Sequence, residues 1–419
     1  MAKSIFGEIT WLTGRGIIST GLPKVYKMIR QLFEVFLVFL RLGLTSFGGP
    51  IAHLGYFHNE FVNKRKWIHE HAYADLVALC QFLPGPASSQ VGMAIGLNRA
   101  GILGAVAAWI GFTLPSAIIL ILFVLGLSVF PSYINSTWLH GLKVVAVAVV
   151  AQAIWGMSLK LCPDKQRASI AVLAAIMASI AASATGQVGI IIFGGIVGCL
   201  FLRTSDQLPH IPFTTNSSKK VGILFLSLFF IILFLSPIIS PLINHHAFRE
   251  FDSFYRAGSL VFGGGHVVLP LLKNEVVNAG WVSNDLFIAG YGMAQALPGP
   301  LFAFSAYLGA VSSIFPSGIP GATICLVAAF LPSFLLIIGV LPFWEALRKY
   351  DNMKFAMRGI NAAVVGLLIA AFYNPVWTSA ILNPKDFGLA LAAFLLLVFW
   401  KTPSWLVVLI CALTSGLFF

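Results

Sequence analysis

Gln81-Phe82-Leu83-Pro84-Gly85-Pro86 and Gln295-Ala296-Leu297-Pro298-Gly299-Pro300 are two copies of one phrase, each set inside an apolar stretch long enough to cross a membrane. Two prolines around a glycine cannot sit in an unbroken α-helix. Each lacks an N–H, and each ring clashes with the carbonyl four residues back. In helical register Pro84 and Pro86 free the carbonyls of Cys80 and Phe82, and Pro298 and Pro300 free those of Ala294 and Ala296. In lipid an unsatisfied backbone group costs several kcal/mol, so such a break persists only where protein buries it or a wet cavity lines it. Interrupted hydrophobic segments at matching places in two halves point to a transporter's binding site.

The surrounding composition agrees. Of 419 residues, 58% are apolar and 10% charged, against about 25% charged in a soluble domain. The chain is a polytopic all-α membrane protein with material for about ten to thirteen spans at roughly 20 residues each. The net charge of +12 is spread over short linkers, as the positive-inside rule expects, so nucleic acid is not an expected partner and the lipid bilayer is. The five cysteines show no metal or redox spacing, and no cofactor or metal is expected. Residues 1–30 form a basic arm without the compact apolar core of a cleavable leader. No HExxH, GxSxG, Walker or paired CxxC motif is present. An enzyme is therefore not expected, and concentrative transport would run on an ion gradient or membrane potential.

The two phrases belong to two homologous halves, 31–203 and 248–419, joined by a polar linker and one apolar segment within 204–247. At an offset of 215, Phe33, Arg41, Gly43, Phe47, Gly48, Gly49, Asn59, Glu60 and Asn63 match Phe248, Arg256, Gly258, Phe262, Gly263, Gly264, Asn274, Glu275 and Asn278. At 214, Trp67 and the first phrase match Trp281 and the second. At 217, Leu114-Pro115-Ser116 matches Leu331-Pro332-Ser333, a pair that reads as helix kinks. Apolar composition does not produce Arg, Glu, Asn, Trp and Pro-Gly-Pro in register by chance.

With the N-terminus inside, Arg99, the 160–167 and 203–220 linkers, Lys273, the Arg348–Arg358 cluster and Lys401 fall inside. The one span in the connector then inverts the second repeat relative to the first. Lys64-Arg65-Lys66 falls outside by this count and disagrees with it. An interfacial or re-entrant helix at that place would remove the conflict.

Several residues carry possible chemistry. Arg41 lies about ten residues into its apolar segment, roughly 15 Å deep at 1.5 Å per residue, and Arg256 sits similarly. Two arginines about one pseudo-dyad suit a small dianion, since the guanidinium fork matches oxyanions; the alternative is snorkelling or pairing with Glu60 or Glu275. Gly48-Gly49 and Gly263-Gly264 let the backbone approach a ligand or simply let helices pack. The helices restarting after Pro86 and Pro300 present N–H groups to an anion, with Ser88, Ser89 and Ser305 as added hydroxyls and Gln81 and Gln295 just before the breaks. Glu60 and Glu275 are candidates for a coupling proton or for arginine partners. His53 and His266 do not align with each other and carry no expected role.

Arg41-Leu42-Gly43, Ser46-Phe47-Gly48-Gly49-Pro50 and Gln81–Pro86 together resemble the signature of the chromate ion transporter family, and Gly258, Phe262-Gly263-Gly264-Gly265 and Gln295–Pro300 resemble its C-terminal copy. The resemblance covers 33–419, the long two-domain form. It implies a bacterial inner-membrane carrier with two antiparallel halves that exports chromate on the proton motive force and confers chromate resistance. Chromate is a tetrahedral dianion shaped like sulfate, so a sulfate-related carrier, or an anion channel, stays open. So does a homodimer.

Overall fold

The computed structural model describes residues 22–47, 49–129, 137–180, 184–202, 218–243, 245–262, 267–347 and 350–418, and these are helical, with no strand among the described residues. The first repeat holds α1 (Leu22–Thr45), α2 (Gly49–Phe57), α3 (Glu70–Phe82), α4 (Ala87–Val129), α5 (Thr137–Leu161), α6 (Lys165–Ile180) and α7 (Ala184–Phe201). The connector is α8 (Lys219–Ile239). The second repeat holds α9 (His246–Leu260), α10 (Val268–Val276), α11 (Asn284–Ala296), α12 (Phe304–Val311), α13 (Gly318–Val340), α14 (Asp351–Ala371), α15 (Pro384–Val398) and α16 (Ser404–Phe418). Among the described residues five helices are long and apolar enough to cross a membrane: Ala87–Gly126, Leu139–Leu161, Lys219–Ile239, Gly318–Phe343 and Asp351–Ala380. Shorter apolar helices accompany them, one of which, Leu301–Val311, follows the second break.

Both breaks have the geometry that proline imposes. Leu83 and Leu297 end α3 and α11 in extended conformation, with ψ of 146° and 147°, because the ring that follows disfavours the α region for the residue before it. The glycines between the prolines stand at φ +118° and +98°, a region that a side chain penalises. After the first break α4 starts at once. After the second, a tight turn at Leu301–Ala303 precedes α12.

Charged contacts reveal how the first helices run. Glu34, near the middle of α1, pairs with Arg65 at 3.2 Å and with Arg99 at 3.1 Å. Both guanidinium groups lie over the Trp67 ring, at 5.4 and 4.9 Å. Lys64-Arg65-Lys66 therefore shares one end of the molecule with Arg99. From that end α1 runs inward to Ser46, and α2, widening to π geometry over His58–Lys64, comes back to it. α3 then runs inward to the first break, and the start of α4 returns to Arg99. Only beyond the kink at Ala100 and Gly101 does α4 traverse the molecule.

The second repeat enters from the opposite end. There His246 meets the Trp281 ring at 4.7 Å, Ser313 donates to the Trp281 carbonyl at 3.0 Å, and Lys143 at the start of α5 pairs with Asp285 at the start of α11 at 3.0 Å. Lys273, which donates to Asn374 at 3.1 Å, belongs to this end, not to that of Arg99. The halves are thus inverted, as the repeats imply. Two placements change: Lys64–Lys66 joins the basic end, and Lys273 leaves it. The reason is that α1–α2 and α3–α4 are re-entrant pairs, and a re-entrant pair returns the chain to the side it came from.

The later helices exchange partners between halves. α5 packs on α15 and α16, and α14 packs on α6 and α7. Glycines set the closest approaches: a Cβ on Gly141 would collide with the backbone of Cys411, and one on Gly359 with that of Gly194. α8 stands at the edge against α13, with Leu224, Leu228, Ile231, Phe234 and Ile238 exposed on a face suited to lipid.

Candidate functional site

The two breaks meet the opposite halves reciprocally. The Gly299 N–H donates to the Ser46 carbonyl at 3.0 Å, and the Gly85 N–H donates to the Val261 carbonyl at 2.6 Å. Ser46 and Val261 are themselves equivalent at the offset of 215. A Cβ on Gly299 would stand 2.8 Å from Ser116 Oγ, and one on Gly85 would collide with Ser333 Oγ; these serines are equivalent at 217. A reciprocal contact of this kind is what a two-fold relation produces. The breaks are therefore the crossing of the two repeats, with each glycine filling a place where no side chain fits.

The crossing is symmetric in backbone and unequal in side chains. On the first repeat His53 is buried, with Nε2 3.2 Å from the Ser46 carbonyl and Nδ1 3.4 Å from Ser88 Oγ. Gln90 donates to the Pro84 carbonyl at 2.7 Å. Ser46, Ser89 and Thr113 of this repeat, and Ser333 of the other, are buried with hydroxyls that have no partner among the described residues. An unsatisfied buried polar group costs about 1–3 kcal/mol, and none of these hydroxyls lines the cavity described below. In the second repeat Val268, Phe302, Ala303, Phe304 and Phe330 stand where the first has His53, Ser88, Ser89, Gln90 and Thr113, and the three phenylalanines are fully buried. Ser305 donates to the Phe302 carbonyl at 2.7 Å, inside its own helical turn.

A cavity of about 370 Å³ reaches the second break. Gln295, Leu297 and Gly299 line it from the break, Phe47, Gly49 and Pro50 from the start of α2, Gln152 from α5, and Lys401 to Ser404 from the turn before α16. Gln295 is half-buried, and its side chain meets that of Tyr291, one helical turn before it. No carboxylate lines the cavity among the described residues. Gly49 stands at φ +76°, the conformation for which glycine is needed.

The remaining expected residues are distributed unevenly. Gln81 is exposed, whereas its twin Gln295 faces the cavity. Pro84, Gly85, Pro86, Pro298, Gly299 and Pro300 form the crossing, and Ser88 and Ser89 lie buried in the first turn of α4. Gly48, Gly263 and Gly264 lie outside the described residues. The arginines are not alike. Arg256 pairs with Asp252 at 3.2 Å and with Glu275 at 3.0 Å. Arg41 is exposed on the α1 face that carries Leu37 and Leu44, and no carboxylate pairs with it among the described residues. Glu60 is taken by Arg65 at 2.7 Å.

Ser46, His53, Gln152 and Lys401 were not among the residues expected at a site. Ser116 and Ser333 follow the expected kink prolines, and their recurrence at one offset is the signal of a shared place. His53 carries no such signal, because its twin is a valine.

A membrane protein that is helical throughout its described residues, with inverted repeats, broken helices crossing at its centre and a polar cavity between its halves, has in class a transporter fold. The model of the chromate transporter family matches residues 33–199 and 248–416, and the chain belongs to that family. It is 28% identical over 397 residues to a chromate transport protein of Pseudomonas aeruginosa, covering 90% of each chain. It is 26% identical over 340 residues to a probable chromate transport protein of Synechococcus elongatus, covering 80% of this chain and 81% of the relative. An uncharacterized transporter of Methanocaldococcus jannaschii is 24% identical over 343 residues, with 80% and 82% covered. No solved structure matches.

Proposed function

We propose that this chain is a secondary transporter that carries chromate, or a tetrahedral dianion of the same shape such as sulfate, across the plasma membrane. The observation that carries the reading is the reciprocal crossing at Gly85 and Gly299, reached by a cavity that has donors and a cation in its wall and no carboxylate. The anion binds where α2 and the second break converge, and one repeat rocks against the other about the crossing. The names of the relatives in Pseudomonas and Synechococcus supply the substrate.

The end bearing Arg99, Lys160, Arg167 and Lys401 is taken as cytoplasmic by the positive-inside rule. Export from a cell that is negative inside then needs no further drive. One charge moved through 100 mV gains about 2.3 kcal/mol, and a dianion gains about twice that. Such export would confer chromate resistance. Glu60 and Glu275 stand in arginine ion pairs, which supports a structural role for them; coupling to protons through either would require that pair to open.

The test is radiolabelled chromate flux in proteoliposomes, with membrane potential and pH gradient imposed separately and sulfate as competitor. The expected result is saturable flux that follows potential and shows counterflow. Flux that requires a pH gradient would make Glu60 and Glu275 the first residues to substitute. Flux without saturation or counterflow would replace the carrier by a channel.

A further inference from the structure

The cavity at the second break contains a cation that the repeats do not predict. Lys401 lines it from the turn between α15 and α16. The turn is held in one shape: the Trp400 and Thr402 N–H groups bond the carbonyls of Leu395 and Leu396 at 3.2 and 2.9 Å, and Lys401 between them stands at φ +53°. A lysine in the left-handed region is disfavoured relative to glycine, so the side chain is not there for the sake of the turn. No ion pair takes up its amine among the described residues. The sequence between α6 and α7, Ala181-Ala182-Ser183, has no basic residue.

Across the cavity from this turn, α2 begins. A Cβ on Gly49 would meet nothing within 4 Å, so the backbone there is open to the cavity. The first N–H groups of a helix form a positive end that favours anions. Between the two walls lie Gln295, whose side chain meets Tyr291 one turn before it, and Gln152, whose Nε2 makes only a long 3.4 Å bond to the Leu397 carbonyl. A stronger acceptor could displace that bond. Cation, helix terminus and two amides converge on one space from both repeats.

The geometry points to Lys401 as the capture residue of an entry vestibule for dianionic oxyanions, which bind between its amine, the start of α2 and the Gln295 amide before reaching the crossing. This deepens the transport reading and rests on it. The vestibule opens on the Lys401 end of the molecule, so capture belongs to one face alone.

The test compares wild type, Lys401→Gln and Lys401→Arg as full chains. Initial rates of radiolabelled chromate flux in proteoliposomes give KM and maximal rate, and equilibrium binding of chromate to the solubilised protein gives Kd. Removing one charge beside a dianion at the mouth of a wet cavity should raise KM and Kd about tenfold and leave the maximal rate near wild type. The arginine variant should restore both constants. Saturable wild-type flux with unchanged KM and Kd in Lys401→Gln overturns the vestibule alone, as does a loss confined to maximal rate. Wild-type protein that moves neither chromate nor sulfate overturns the transport reading, and the vestibule with it.

Discussion

The two arginines show how single substitutions redistribute charge within a repeated frame. Arg256 has Asp252 one turn before it and Glu275 across from it. In the first repeat Leu37 replaces Asp252, and Glu60, the twin of Glu275, is drawn to Arg65. The second repeat has Ala279 and Gly280 near the place of Arg65, so Glu275 is left for Arg256. The matching arginines were legible in the sequence. Their unequal partners follow from residues that do not match, which an alignment of repeats passes over. Opposite outcomes are expected. Arg256→Gln leaves the buried Asp252 and the mostly buried Glu275 without their cation, and should cost about 2 kcal/mol of stability, seen as a lower thermal unfolding midpoint in detergent. Arg41→Gln removes no ion pair. It lies five residues before Ser46, about 7.5 Å along the helix, and should leave the midpoint unchanged while lowering chromate flux at low substrate. Flux equal to wild type in Arg41→Gln would assign Arg41 to snorkelling.

At the scale of elements, the breaks decide both topology and function. The Pro-Gly-Pro phrases told where helices stop, because proline chemistry is local. They did not tell that the chain turns back at those points, because the direction after a break depends on what the next segment packs against. Glu34, shared by Arg65 and Arg99, fixes that direction, and it joins residues far apart in sequence. Two predictions belong here. In a background without Cys162 and Cys199, Lys66→Cys should react with an impermeant thiol reagent from the same face as Arg99→Cys, and Lys273→Cys from the opposite face. Labelling of Lys66 and Lys273 from one face would refute the re-entrant pairs. Gly299→Ala adds a Cβ 2.8 Å from Ser116 Oγ at a φ of +98°. Strain of about 1–3 kcal/mol in so sparse a backbone region should reduce folded yield and abolish flux. Added Ser116→Gly removes the nearest contact but neither the φ nor the Phe112 carbonyl at 3.2 Å, so rescue should be partial.

At the scale of the molecule, the repeats are interlocked rather than apposed. α5 of the first half is covered by the terminal helices of the second, and α14 of the second by those of the first. Gly141 against Cys411 and Gly359 against Gly194 place small residues where backbones touch, the usual means of joining helices in lipid. Sequence identifies these glycines but not their partners, since equivalence between repeats does not say which half a helix packs against. The swap has a consequence for folding. A single half leaves α5 or α14 without its cover and its re-entrant pair without the carbonyl that receives the break. If the chain is cut within 203–217, neither fragment should accumulate alone in the membrane. Co-expressed fragments should copurify through a tag on one of them and recover chromate flux, because the cut lies in the polar linker and every crossing contact joins the two pieces. Stable accumulation of either half by itself would mean that the exchanged helices contribute little, and that each repeat folds before it meets its partner.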